Sequence, residues 1–408
     1  MIIRRIKETE LMEARNISSL CFNWSHDTED KSAEEYIRSI KENPPSKIDA
    51  YFADTFAAFT KEEEMMSCLS VIPYEVFFDG NRFKMAGIGG VCTYPQHRRK
   101  GAVREIFREA LKDMYERKIF FSYLYPFSEK FYGNFGYTPS SASIHWNFVL
   151  NTIPGYHYDG TFHLYRGDGN FSEFEKAYRT FAEKYNMMVN RDTYDWETLK
   201  AANPFKGNRQ AYLYKDMDGN PKGYFIFDKR NDPDQVVLDC KEMVYDNFTT
   251  LKAIMSFVKT FSADYNTVQF SAPRCLSLEY FCEDYSRSKS SRSIRQNGMV
   301  RVINVKEVLK HARYKGSGDM YIKISDSFIN QNNGIFHVVY KDGKALKITS
   351  LNDGAADMEM TINQFSAAAV GYYDVSDLDY LDGITLNCSK EKAADFIYKK
   401  PCWINNFF

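Results

Sequence analysis

Residues 91–107 read VCTYPQHRRKGAVREIF. An apolar, β-like run meets Pro95, then the cations Arg98, Arg99 and Lys100, then Gly101. The next stretch, GAVREIFREALKDMYERKI, puts Val103, Ile106, Phe107, Ala110, Leu111 and Met114 on one stripe, the signature of an amphipathic helix. Three adjacent cations ordinarily make an exposed charged turn. At a helix start they have a second use. The first amides of a helix have no internal partner, and the positive end of its dipole lies there, so the turn can cradle an anion. Gly101 lets the backbone approach a ligand with no Cβ in the way. Arg98 opens the turn, and the amides of Arg99, Lys100, Gly101, Ala102 and Val103 can then converge on a diphosphate, with Arg99 and Lys100 near it as cations. The string alone is weak evidence. Its place between a strand and an amphipathic helix, late in a β meander, favours the cradle.

Outward from this turn the pattern is α/β. MIIRRIKETE reads as a first strand, and ELMEARNISSLCF and SAEEYIRSIKEN as helices, the second stopped by Pro44-Pro45. Residues 49–95 hold three apolar runs broken by acidic and Asp-Gly turns, read as antiparallel strands. After the helix come a strand in FFSYLYPF, a short helix and turn in SEKFYGNFGYTPS, and a last strand in SIHWNFVL. These make one unit, 1–150. A Gly-, Asp- and Tyr-rich linker at 151–170 opens a second unit, 151–289, in the same order: helices, a hairpin with an Asp-Gly turn, the strand QVVLDCKEMVYD, a long helix from Asn247, and the strand TVQFSAP. VYDNFTTLKAIM stands where the basic glycine turn would be, so this unit is expected to lack a phosphate site. Residues 290–408 are β-rich with amphipathic helices between, an α+β third domain.

The chain has 408 residues, 53 Lys and Arg against 54 Asp and Glu, and 44% hydrophobic residues, enough for more than one core. A balance of −1 argues against a nucleic-acid binder, which carries a basic face. The eight cysteines form no CxxC pair and no zinc spacing; read as free thiols, they fit a reducing cytoplasm. The start lacks the apolar core of a signal peptide, and no apolar run approaches the roughly 20 residues that span a bilayer, so no membrane partner is expected.

The strand–RRKGAV–helix pattern resembles the coenzyme A motif of the GNAT N-acetyltransferases. YPQHRRKG, SEKFYGNFGY, the second unit, RQNGMVRVINV and the ending NNFF together resemble the Eis (enhanced intracellular survival) family. That resemblance spans essentially the whole chain. It implies two GNAT-like domains, a C-terminal domain like sterol carrier protein, acetyl-CoA as co-substrate without a metal, and a homo-oligomer, a hexamer. It places Val91, Cys92 and Thr93 along the pantetheine arm, Arg98 to Val103 around the pyrophosphate, and Ser128 near the thioester. Tyr132 becomes the general acid and the terminal carboxylate of Phe408 the general base. One departure is visible: the sixth motif position, often Gly or Ala, is Val103.

The chemistry of these groups agrees. An amine must lose its proton before it attacks, and a buried carboxylate can take it. A terminal carboxyl, with an ordinary pKa of about 3.5, needs desolvation to become a useful base. A tyrosine, ordinarily near 10, holds a proton to give to a thiolate. Cys92 reads as packing, and His26, His97, His145 and His337 as structural or surface residues. The resemblance suggests aminoglycosides as substrates. Trp24 in the first-helix segment, with Asp27 three residues on, and Phe407 near the end make this pocket more aromatic and less acidic. Phe22, Trp24 and Tyr125 can hold a cation on their ring faces. The expected activity is therefore acetyl transfer to a primary amine, whether of an aminoglycoside, a polyamine or lysine. The alternatives are a non-enzymatic protein binding coenzyme A or an apolar ligand, and a longer-acyl transferase.

Overall fold

A computed structural model describes residues 1–23, 32–167, 170–200 and 203–406. The chain divides into two compact units. One takes Met1–Ser140, Gly298–Lys400 and the last residues from Asn405; the other takes Ser141–Asn297 and Pro401–Ile404.

The first unit opens with β1 (Ile2–Arg5), then α1 (Leu11–Phe22), α2 (Ala33–Glu42) and the single turn α3 (Lys47–Ala50). Ser32 caps α2, and Glu35 closes the reciprocal bond. A meander follows, of β2 (Thr55–Phe59), β3 (Met65–Phe78) and β4 (Asn81–Thr93). Then come α4 (Ala102–Glu116), β5 (Phe121–Leu124), α5 (Glu129–Gly133) and β6 (Thr138–Pro139). The sheet has helices on both faces. Ile106, Phe107, Ala110, Leu111 and Met114 of α4 are fully buried against Phe56, Leu69, Val71 and Ile88. On the other face Leu11 and Ile17 of α1 and Tyr36 and Ile40 of α2 cover Ala57, Phe59, Cys68 and Cys92. Burial of a side chain such as Phe107 or Leu111 contributes about 1.5–3 kcal/mol.

In the second unit come β7 (Ala142–Val149), β8 (Thr161–Leu164), α6 (Ser172–Ala182), α7 (Thr193–Lys200), β9 (Arg209–Lys215), β10 (Pro221–Asp232), β11 (Gln235–Tyr245), α8 (Phe248–Lys259), β12 (Thr267–Pro273) and β13 (Ser291–Gln296). Their sheet runs β13-β7-β12-β11-β10-β9-β8, with only β11 and β12 parallel. Residues 142–149 were expected to close the first unit. They lie instead inside this sheet, between β12 and β13. The place they would have filled in the first sheet goes to β14 (Met299–Val302), giving the order β1-β2-β3-β4-β5-β14-β6. The physical reason is packing: Ile144, Trp146 and Phe148 are buried, and Phe148 meets Phe270 of β12 edge-on at 5.5 Å.

The first unit is completed by α9 (Val305–His311), β15 (Gly318–Ser325), β16 (Gly334–Lys341), β17 (Lys344–Leu351), β18 (Met358–Thr361), α10 (Ile362–Val370), β19 (Ile384–Leu386) and α11 (Lys390–Ala394). Its five-stranded sheet runs β17-β16-β15-β18-β19. Helix α10 ties this part to the first sheet. Ser366 Oγ accepts from Val302 N at 2.8 Å, and Asn363 Nδ2 donates to the carbonyls of Gly133 and Tyr137 at 2.9 Å each. Lys400 Nζ meets Asp79 Oδ2 at 2.6 Å in a buried pair. All eight cysteines are free thiols, and among the described residues no helix is long and apolar enough to cross a membrane.

Candidate active site

The site begins where two strands part. β4 and β5 pair in parallel from Met85↔Phe121 only as far as Ile88↔Leu124, yet β4 runs on to Thr93. Beyond Ile88 the edge of β4 has no β5 partner. The register of β4 against β3 passes from Ser70↔Gly89 to Cys68↔Cys92, so Gly90 and Val91 together face Leu69. This is a β-bulge, and Gly90 takes its left-handed position at φ +60°. The bulge bends β4 away and aims Val91, Cys92 and Thr93 at the gap. Ser67 Oγ holds Cys92 O at 2.7 Å and Thr93 Oγ1 at 2.9 Å, fixing the strand end.

After β4 a tight turn at Pro95–His97 leads into the basic segment. Arg99 sits at φ +62° and Gly101 at φ +81°. A non-glycine residue in the left-handed region is strained, and such strain collects at binding sites. Gly101 is the N-cap of α4 and supplies no side-chain acceptor. The first-turn amides, Ala102, Val103 and Arg104, therefore face no capping side chain. The cleft they border has a volume of about 770 Å³. Val91, Cys92 and Thr93 line it on the strand side, Arg98, Arg99 and Gly101 to Arg104 on the helix side, Cys21 and Phe22 on α1, and Phe127, Phe131 and Phe135 opposite, with His97 at the turn.

Nearly all the residues expected to bind the nucleotide therefore come together. Lys100 does not line the cleft; its Nζ lies 3.3 Å from His97 Nδ1. Nor does Ser128, whose Oγ caps α5 by accepting from Phe131 N at 3.3 Å. Tyr132, also on α5, is buried among Phe107, Phe127 and Phe131, its ring 5.3 Å from that of Phe127, and lies behind the lining rather than in it. Burial pushes its phenol above the ordinary value. Tyr125 follows β5, and its hydroxyl donates to Asn406 O at 2.7 Å. Tyr125 was expected to offer its ring face to a cation and is not in the cleft lining; its hydroxyl bond holds the end of the described chain beside β5. Trp24, Asp27 and Phe408 lie outside the described residues. Phe22 is in the cleft wall, 40% exposed. Hydrogen bonding with Cys68, whose Sγ is 3.3 Å away, and burial push the Cys92 thiol far up, so it is not a nucleophile at neutral pH.

Six lining residues went unassigned in the sequence: His97 read as a surface or packing group, and Cys21, Arg104, Phe127, Phe131 and Phe135 were given no place in the site. The spacing of Phe127, Phe131 and Phe135, four apart, was the available signal for one aromatic wall. Of the glycines of FYGNFGY, Gly136 is required by the geometry, whereas a Cβ at Gly133 would meet nothing. Gly136 sits at φ +85°, and a Cβ there would lie 2.5 Å from Arg301 Nη1. The motif therefore makes room for an arginine far along the chain.

The second unit has the same parted strands without the cradle. β11 carries a bulge against β10 between Ile226↔Glu242 and Phe227↔Cys240. Helix α8 starts with Asn247 Oδ1 capping Thr250 N at 3.0 Å, and Asp246 stands beside it. A capped, acidic helix start offers nothing to a phosphate. Glu242 is paired with the buried Arg191, Nη1 to Oε1 at 2.9 Å.

Comparison with known proteins follows these lines. Acetyltransferase (GNAT) domain models match residues 2–140 and 187–302, and a sterol carrier protein domain model matches 305–405. A search of curated proteins finds no sequence match. Among solved structures, a GCN5-related N-acetyltransferase from Anabaena variabilis superposes with a TM-score of 0.83 at 19% identity, covering 100% of both chains. An Enterococcus faecalis protein of unknown function, a probable N-acyltransferase, gives 0.82 at 20% identity, covering 100% of this chain and 99% of its own. Eis1 from Mycobacterium abscessus gives 0.80 at 14% identity over 100% of both chains. The chain therefore carries two acetyltransferase (GNAT) domains followed by a sterol carrier protein domain, and it shares its fold with Eis1 over the whole length of both chains.

Proposed function

We propose that the protein transfers an acetyl group from acetyl-CoA to a primary amine by direct attack. The observation that carries this reading is the joining of an uncapped helix start, with Arg98 and Arg99 beside it, to an unpaired strand edge within one cleft. The cleft fits coenzyme A. Its arginines and α4 amides suit a diphosphate, and the free edge of β4 beyond Ile88 suits the amide-bearing pantetheine arm. When bound, acetyl-CoA supplies the activated acyl group. The chain does the rest. Val91 to Thr93 present peptide groups beside the acyl carbonyl. The acid is assigned to Tyr132: burial raises its pKa and keeps its proton on Oη, and because it stands behind Phe127 and Phe131, delivery to the departing thiolate requires those rings to shift. The base is assigned to the carboxylate of Phe408; its support is the Tyr125–Asn406 bond, which anchors the preceding backbone at the end of β5.

The amine is read as small and cationic. The aromatic wall of Phe22 and Phe127 favours ring-face recognition of an ammonium group over an acidic pocket. This makes polyamines, arylalkylamines or lysine side chains better candidates than aminoglycosides. The test is release of free thiol from acetyl-CoA with a panel of these amines, for wild type and Tyr132→Phe. The expected result is turnover with at least one amine, reduced about 10²-fold or more in the variant. Tight coenzyme A binding with no turnover on any amine would overturn the reading.

A further inference from the structure

The diphosphate cradle leaves two arginines unexplained. Arg104 and Arg108 lie one turn apart on α4, and each guanidinium sits over the ring of Phe328 at 5.4 Å. Arg104 is exposed, lines the cleft and has no ion-pair partner among the described residues. Arg108 is half-buried, and its Nε meets Glu105 Oε2 at 3.3 Å. Two guanidinium groups share one ring, and Glu105 pairs with only one of them, so the cluster keeps a net positive charge. Such a cluster suits a strongly charged anion.

The ring beneath them is fixed by the sterol-carrier-like domain. Asp326 Oδ1 accepts from the amides of Phe328 at 2.9 Å and Ile329 at 3.1 Å, and the fully buried Arg301 holds both oxygens of that carboxylate at 2.9 and 3.0 Å. Phe328 in turn packs edge-on against Phe135 of the cleft wall at 5.8 Å. The platform is therefore rigid and continuous with the cleft.

We propose that Arg104 and Arg108, on the Phe328 platform, form a subsite for a phosphate monoester: the ribose 3′-phosphate of the coenzyme A nucleotide. This rests on the reading of the cleft as an acyl-CoA site. It gives the third domain a part in selecting the acyl carrier. A carrier with the same diphosphate and pantetheine but no 3′-phosphate should bind poorly.

The test is calorimetric binding of coenzyme A and of 3′-dephospho-coenzyme A to the full chain, without amine and without turnover. Wild type should bind coenzyme A at least tenfold more tightly. In Arg104→Gln/Arg108→Gln the two affinities should converge to within about twofold, by loss of the coenzyme A affinity alone. Equal wild-type affinities, or an equal loss for both ligands in the variant, would overturn the subsite while leaving the acyl-CoA reading intact; the second result would mark the arginines as diphosphate contacts. A wild type that binds neither ligand would overturn both.

Discussion

At the scale of single residues, protonation decides what the site does. Tyr132 is raised above the ordinary tyrosine value of about 10 by burial and then by the neighbouring Tyr137. A raised acid stays protonated over the whole neutral and mildly alkaline range. The pH profile of kcat should therefore show no descending limb from this group up to pH 10. A limb falling near pH 8–9 in wild type and absent in Tyr132→Phe would show that burial does not hold the proton on Tyr132; a limb unchanged in Tyr132→Phe would belong to another group. The ascending limb belongs to the base and the amine and should survive in the variant. Much of this was legible in the sequence, because a basic turn before a helix and a tyrosine in a glycine-framed motif are local signals. Lys100 was expected at the pyrophosphate and Tyr125 to offer its ring face to a cation; the Lys100 ammonium lies by His97, and the Tyr125 hydroxyl is bonded to Asn406. No local pattern encodes those choices.

At the scale of elements, the hydrophobic stripe of α4 and the meander before it follow directly from periodicity and turn chemistry. The bulge at Gly90–Val91 and the parting of β4 from β5 do not, since both depend on which strands become neighbours. The same holds for 142–149. Its alternation showed a strand, but alternation says nothing about which sheet receives it. The loop between α5 and β6 depends on a distant residue too. In Gly136→Ala the new Cβ would meet Arg301 Nη1 and the backbone would be held in the left-handed region. Left-handed strain of about 1–2 kcal/mol and overpacking of about 1–3 kcal/mol add to a loss of roughly 2–5 kcal/mol. Urea unfolding measures it, and a loss under 1 kcal/mol would show that Arg301 moves aside freely.

At the scale of the whole molecule, the buried Arg301–Asp326 pair joins β14 to the turn after β15. Burial pushes the Asp326 carboxyl up, but the Arg301 charge and hydrogen bonds from Asn332 and Phe328 outweigh it and hold the carboxyl below its ordinary value. A depressed carboxyl contributes stability that is complete above the unfolded value of about 3.9 and is lost as pH falls through the folded value. Asp326→Asn should cost about 3–5 kcal/mol at pH 7, because Arg301 is left buried without its counter-charge. That cost should shrink below pH 4. A variant whose deficit is the same at pH 3 and pH 7 would show that the pair does not titrate on unfolding.

The exchange of β7 and β14 between the sheets also sets an order of events during synthesis. The first sheet lacks an interior strand until Met299–Val302 has left the ribosome, after the whole second acetyltransferase domain has been made. At about 5–20 residues per second, the first domain waits roughly 8–30 s with β5 and β6 unjoined. During that interval the edges that β14 will pair stay open to other chains, an exposure that a domain with all its strands contiguous in sequence does not have.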